Sequence, residues 1–302
     1  MKDDRLVAMQ VFRAVAETGG FSAAARALEA SQPFVSQTVA RLEARLGTPL
    51  LHRSTRGQRL TDEGEAFLHA ARRALDAVEA AEAEVLDRRG EVAGTLRVTA
   101  PLAFGLDRIV PLLPAFSAAH PALTVDLSLT DERVGLIEHG VDVAIRMGRL
   151  EDSSLRARRL CALRRVVVAA PAFLDRHGRP ERPPDLEAFD CLLWGGAREH
   201  LNHWRFREDG RDVEVAVRGR IRSDNGQSLF AMCLAGAGVF RAAEHLALPA
   251  IAAGALVPLL EHFDAGDDGA IHALHMGGPA ALPRVRVFVD HLAAAFRDPP
   301  WR

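Results

Sequence analysis

Lysine and tyrosine are nearly missing from this chain: Lys2 is the only lysine among 38 basic side chains in 302 residues, and tyrosine is absent. The bias points to a GC-rich genome more than to a chemistry, but it removes whole classes of active site. Ser223-Asp224-Asn225 matches one element of the penicillin-recognising serine enzymes, yet their S-x-x-K nucleophile assembly needs a lysine that the body of the chain lacks. No G-K-[ST], G-x-S-x-G or H-E-x-x-H occurs. Gly236-Ala237-Gly238 fails as a dinucleotide fingerprint because Arg241 stands where its last glycine belongs. Cys161, Cys191 and Cys233 are odd in number and far apart. That speaks for buried structural thiols in a reducing cytoplasm, ahead of a redox sensor, and against a disulfide framework. His200/His203 and His272/His275 are H-x-x-H pairs, but on a strand odd spacing sends the two members to opposite faces, so neither is a ready chelate. No metal or other cofactor is expected. No apolar run reaches the roughly 18 residues needed to cross a bilayer, and the charged start (Lys2, Asp3, Asp4, Arg5) is not a signal peptide. A cytoplasmic protein with no membrane partner is expected.

What the chain has in abundance lies near its N-terminus. Residues 21–47, FSAAARALEASQPFVSQTVARLEARLG, read as two short helices joined by a tight turn. Ser22 suits an N-cap before an Ala-rich helix whose large apolar residue is Leu28. A second start follows at Ser31-Gln32-Pro33, where proline is welcome because the first helical N–H groups have no partner inside the helix. From there Val35, Val39, Leu42 and Leu46 fall on one narrow face, and Gly47 ends the helix. The opposite face carries Pro33, Ser36, Gln37, Ala40 and Ala44 with Arg41 on its flank. A face this small and polar can enter a major groove, where Ser and Gln bond base edges, Ala touches a thymine methyl and Arg reaches guanine or phosphate.

Taken alone, that helix reads more readily as an ordinary amphipathic one with its polar side in water. The segment after it, LLHRSTRGQRLT (50–61), decides the matter: Arg53, Arg56 and Arg59 cluster around Gly57 with no acid among them, the pattern of a basic hairpin. Residues 1–61 hold nine basic and five acidic side chains, while the whole chain carries a net charge of −2. A basic head on an acidic body restricts nucleic-acid contact to one end. The run from AMQVFRAV to LTDEGEAF, with its FSAAARAL, SQPxVSQ, LExxLGxxLLxR and LTxxG segments, resembles the DNA-binding head of the LysR-type transcriptional regulators. The resemblance implies a winged helix-turn-helix, a dimer that commonly assembles into a tetramer, and a C-terminal effector domain. It also implies that Gln32, Ser36, Gln37 and Arg41 lie on the recognition helix beside Pro33, and Arg53 and Arg56 on the wing. Phe34 stands where the family usually has a small residue.

Asp62 to Arg89 reads as one long helix capped by Thr61, and Phe67, Ala71, Ala74, Val78, Ala81 and Val85 recur along it at coiled-coil spacing. Either this stripe packs on the chain's own body or it meets a partner helix; its narrow, continuous seam favours dimerisation. Arg88-Arg89-Gly90-Glu91 then marks a hinge. From Gly94 the period changes. Strands at 96–99, 123–130, 141–146 and 165–169 alternate with helices at 106–119 and 134–139, which predicts α/β structure on parallel sheet. A hairpin turns at Asp209-Gly210 between strands 203–207 and 213–217, and the chain closes with a strand at 271–276 and a helix at 282–296. GTLRVTAPLAFG, GVDVAIRMG, RSDNG and GAGV resemble the two-lobed, periplasmic-binding-protein-like (type II) effector domain of the same family.

Small molecules bind such sheets at the carboxyl ends of strands, near helix N-termini. Thr99, Pro101 and Leu102 after one strand, Thr130 after the next, Arg146 and Met147 after a third, and Asn225 before a helix are the candidates, with Phe104 as apolar wall. A carboxylate or aromatic ligand suits them. Arg146 fits a structural ion pair as well as a ligand contact, and Trp194 fits core better than ligand. Leu102 replaces the Ser or Thr of many relatives, and Arg241 breaks an apolar run and is expected to face solvent or a partner chain. The expected division is a winged helix-turn-helix at 1–61, a linker and dimerisation helix at 62–90, and an effector domain at 91–302. Within it, lobe I takes about 91–162 and 268–302, and lobe II about 163–267. The function expected is a promoter-binding regulator, dimeric or tetrameric through its linker helices and controlled by a small molecule. The alternative is a solute-binding or enzymatic α/β protein with a residual DNA-binding head.

Overall fold

The computed structural model describes residues 5–54, 57–87, 92–132, 135–150, 155–266, 269–276 and 282–301. Contacts divide the chain into two compact units, residues 1–94 with 134–141, and residues 95–133 with 142–302. The first unit opens with α1 (Arg5–Thr18), whose Ala8, Val11, Phe12 and Val15 recur at i, i+3, i+4 and i+7 and are all buried. Next come α2 (Phe21–Ala27) and α3 (Gln32–Leu46). Ser22 does not cap α2: Gly20 precedes the helix, no side chain caps it, and Leu28 lies past its end, 37% exposed. Ser31 does cap α3, its Oγ accepting from the Phe34 N–H at 3.3 Å, and Gly47 closes the helix in the left-handed region at φ 74°.

An antiparallel hairpin follows, β1 (Leu51–Ser54) on β2 (Gly57–Leu60), with Leu51 opposite Leu60. Glu43 of α3 ties this wing down, its Oε1 accepting from the N–H groups of Leu50 at 2.8 Å and Leu51 at 3.2 Å. The long helix α4 (Asp62–Asp87) starts on Thr61, whose Oγ1 accepts from the Gly64 N–H at 2.9 Å. Its first turns pack inward. Leu68, Ala71 and Leu75 are buried, Phe67 meets Phe12 edge-to-face at 5.4 Å, and Arg72 pairs with Glu17 of α1 at 3.0 Å. The seam read from the sequence therefore divides: its beginning belongs to the head core, while Ala74 and Val78 are half-buried and Ala81 is exposed. The expected hinge at 88–91 lies outside the described residues.

The second unit begins with β3 (Gly94–Ala100). A helical run over 102–119 follows, composed of α5 (Leu102–Phe104), a π-helical turn, a 3₁₀ turn and α6 (Leu113–Ala119). By length and composition alone this run resembles a membrane span, although Asp107 and Arg108 interrupt its apolar sequence. Here it packs Phe104, Ile109 and Phe116 into a core instead. Then come β4 (Leu123–Leu129), the short α7 (Leu136–His139), which belongs to the first unit, and then β5 (Val143–Gly148) and β6 (Arg156–Ala162). After these the chain forms β7 (Arg165–Ala169), α8 (Pro171–His177), β8 (Leu192–Trp194), β9 (His203–Glu208), β10 (Arg211–Ala216), β11 (Ile221–Ser223) and α9 (Gly226–Leu234). It ends with β12 (Phe240–Ala243), α10 (Glu244–Ala252), β13 (Val257–Leu259), β14 (Ala270–His275) and α11 (Pro283–Ala295).

The sheets are mixed where parallel ones were expected. One sheet has the order β4-β3-β5-β14-β6, with β3 parallel to β5 but β14 antiparallel to both its neighbours, because the chain returns to it from the far side. The second set holds β12-β7-β13, wholly antiparallel, and the parallel pair β8–β11. The Asp209-Gly210 hairpin joins β9 to β10, both turn residues at positive φ (49° and 76°), as a two-residue type I′ turn requires. Arg241 is buried on β12, not turned to solvent, because that strand lies against β7 with cores on either side.

Candidate DNA interface and effector site

The core of the first unit takes Val35, Val39 and Leu42 from α3, whereas Leu46, expected on the same seam, is 41% exposed at the helix end. Burial of that line leaves Gln32, Pro33, Gln37, Ala40, Arg41 and Ala44 exposed and Ser36 half-buried, with its Oγ donating back to the Pro33 carbonyl at 3.1 Å. Phe34 joins them, 46% exposed, on the flank shared with Arg41 seven residues on. The hairpin adds Arg59, exposed on β2 opposite His52. The Arg53 side chain and all of Arg56 lie outside the described residues. Arg59 was legible from its place beside the other two arginines and belongs with them. A rigid helix with a polar free face, buttressed by a basic hairpin through Glu43, is the arrangement that inserts into a major groove.

In the second unit the sheet order sets the candidates for the ligand side by side. Thr99, Pro101 and Leu102 end β3 and begin α5, and the Thr130 N–H donates to the Ala100 carbonyl at 2.9 Å, so the ends of β3 and β4 are neighbours. Thr99 pairs with Ala144 across β3 and β5, which puts Arg146 and Met147 at the same end of the sheet. α5 packs against α9, bringing Asn225 near this group. Thr99 is 1% exposed and its Oγ1 has no hydrogen-bond partner among the described residues, while the Thr130 hydroxyl accepts from the Glu132 N–H at 3.1 Å.

Two expectations change. Phe104 does not wall an open site: it is enclosed among His245, Phe296 and Trp301, with ring centroids 5.2, 5.4 and 6.3 Å away. Asn225 spends its side-chain oxygen on capping α9, accepting from the Ser228 N–H at 2.8 Å. Trp194 is buried, as its reading as core required. His200 sits in a 3₁₀ turn, not a strand, and His203 pairs with Glu214 at 3.1 Å; the described residues include no cluster able to hold a metal ion. Burial pushes the thiols of Cys191 and Cys233 up to about 12, with Asp190 adding to the effect at Cys191.

Sequence reasoning passed over a polar cluster in the same unit. The His245 Nδ1 lies 2.8 Å from Asp107 Oδ2, and Arg108 pairs with the same oxygen at 2.8 Å. Arg108 also donates to the His245 carbonyl at 2.7 Å, and its guanidinium lies over Trp301 at 4.9 Å. The only signal in the sequence was Asp107-Arg108 interrupting an apolar helix.

Two family descriptions match the chain: "Bacterial regulatory helix-turn-helix protein, lysR family" over residues 6–65, and "LysR substrate binding domain" over residues 89–297. The chain belongs to the LysR family of transcriptional regulators. It is 35% identical over 286 residues to the HTH-type transcriptional regulator CrgA of Neisseria meningitidis serogroup C (strain 8013), covering 94% of each chain. It is 35% identical over 295 residues to the regulator PtxR of Pseudomonas aeruginosa, covering 97% of this chain and 94% of that one. Among solved structures, CrgA from Neisseria meningitidis superposes with a TM-score of 0.64 at 33% identity, over 96% of this chain and 98% of that one.

Proposed function

We propose that this regulator binds partly dyad-symmetric promoter DNA as a dimer or tetramer in the cytoplasm, without enzymatic activity. A small molecule held at the strand ends of residues 91–302 would shift it between two arrangements. The observation that carries the DNA reading is the exposed face of α3, with Gln32, Pro33, Gln37 and Arg41 free while the opposite seam is buried. Gln37, with Ser36 beside it, reads base edges. Arg41, Arg53, Arg56 and Arg59 neutralise phosphates. The division into a head at 1–61, a linker at 62–90 and a two-lobed effector domain at 91–302 follows the same reading. At the effector site, Thr99, Pro101, Leu102, Thr130, Arg146 and Met147 form the group that meets the ligand.

The test is a gel shift on the DNA upstream of the protein's own gene. Salt-sensitive, sequence-selective retention is expected, and its absence sinks the proposal. In selection from a random DNA pool, Gln37→Ala changes the preferred bases. Arg59→Ala weakens binding to nearly all sequences and lowers the salt slope by about one unit.

A further inference from the structure

Asp131 follows Thr130 at the end of β4, and its side chain is only 9% exposed. Two distant segments close on it. Arg198, in the helical turn Gly196–Asn202, sets one guanidinium nitrogen 3.0 Å from Asp131 Oδ1 and donates from another to the Asp131 carbonyl at 2.8 Å. That guanidinium lies over the Trp194 ring, 5.1 Å from its centroid, so its orientation is fixed from behind. The Gly226 N–H, at the head of α9, also acts on the carboxylate. Arg198 engages Oδ1, while Oδ2 is enclosed and meets no hydrogen-bond partner within bonding distance among the described residues. Thr99 Oγ1, at the end of the adjacent strand β3, is likewise enclosed and without a partner among the described residues. A buried carboxylate oxygen left unmet is costly, and it is satisfied most effectively by an N–H or O–H donor.

We propose that Asp131 Oδ2 is an effector contact, and that the effector brings a hydrogen-bond donor to it: an ammonium, amide or hydroxyl group on a small polar molecule. The inference rests on the effector-binding reading of this region and narrows it. Arg198 is already paired with Asp131, so a carboxylate brought to Oδ2 itself meets like charge. Asp131 follows a strand of the five-stranded sheet, whereas Arg198 and Gly226 come from segments flanking β8 and β11. A donor lodged at Oδ2 thus strengthens a contact that joins the two sets of sheets, which is how a ligand favours one arrangement over another.

Thermal-shift titration of the full-length protein tests this with matched series: butyrate, 3-hydroxybutyrate and 4-aminobutyrate; phenylacetate, mandelate and phenylglycine. The expected result is that at least one donor-bearing member raises the melting temperature while its donor-free parent does not. Asp131→Ala then weakens that binding by at least about tenfold. Asp131→Asn keeps the side chain's shape and an acceptor but loses the charge, so ammonium-bearing members suffer more than hydroxyl-bearing ones. The inference is overturned if donor-free members bind as well as their partners, if no donor-bearing member binds, or if binding survives in both variants. Gel shift of the same preparation is a separate readout: loss of promoter binding strikes the regulator reading and leaves the ligand result standing.

Discussion

At the scale of single residues, burial decides which chemistry remains available. Cys191 and Cys233 are enclosed, and with thiols pushed up to about 12 almost none of either is thiolate at neutral pH. Iodoacetamide should leave both unmodified in the folded protein and alkylate them readily in denaturant, as mass spectrometry of the two samples would record. His245 supplies a pH-dependent term of definite sign. Burial outweighs the raising effect of Asp107 and holds the imidazole below its ordinary value of 6.5. As pH falls through about 6.5 the unfolded chain takes up a proton that the folded one resists, so stability from this group is full above that pH and lost below it. Melting temperatures of His245→Gln measured from about pH 7 down to 5 should fall less steeply than those of the parent; parallel curves would remove His245 from the account.

At the scale of elements, contacts too close for a side chain explain positions that composition leaves unremarked. Gly64 stands one turn into α4, where an added Cβ would strike the Leu50 carbonyl and press on Leu60 at 3.2 Å. Gly64→Ala forces the helix away from the wing and should cost about 1–3 kcal/mol in chemical denaturation, with the salt slope of DNA binding unchanged. The same scale shows what the sequence made legible. Ser31, Pro33 and Gly47 are local signals, each acting within its own helix, and α3 starts and stops where they place it. The Asp209-Gly210 turn was readable for the same reason. Arg241 was not, because an arginine is assigned to the surface by its charge, and only the lateral order β12-β7-β13 reveals the burial. Asp131 stayed silent likewise: its partners Arg198 and Gly226 are far along the chain, and sequence spacing carries no trace of that closure. The linker seam was half legible, since the stripe is real but its first turns face α1, with Leu68 and Leu75 rather than Ala74 inside.

At the scale of the whole molecule, α4 beyond its first turns is the place to look for self-association. Ala74 and Val78 are half-buried and Ala81 exposed in the single chain, a short apolar strip suited to a partner helix. Val78→Glu should lower the sedimentation coefficient of the full-length protein toward that of a monomer of 32.8 kDa and weaken promoter binding with it. An unchanged assembly would move the interface elsewhere.

The returning strand β14 also fixes an order of events. It lies between β5 and β6, so those two strands have no neighbour on their facing edges until residues 270–275 have been synthesised. The helix-turn-helix and wing can close as soon as they leave the ribosome, more than two hundred residues earlier. A nascent chain therefore carries a finished DNA reader ahead of a sheet with two open edges, and open edges are templates for aggregation. Proteins cut short before residue 270 should accumulate in the insoluble fraction, which couples possession of the DNA-binding surface in soluble form to completion of its control domain.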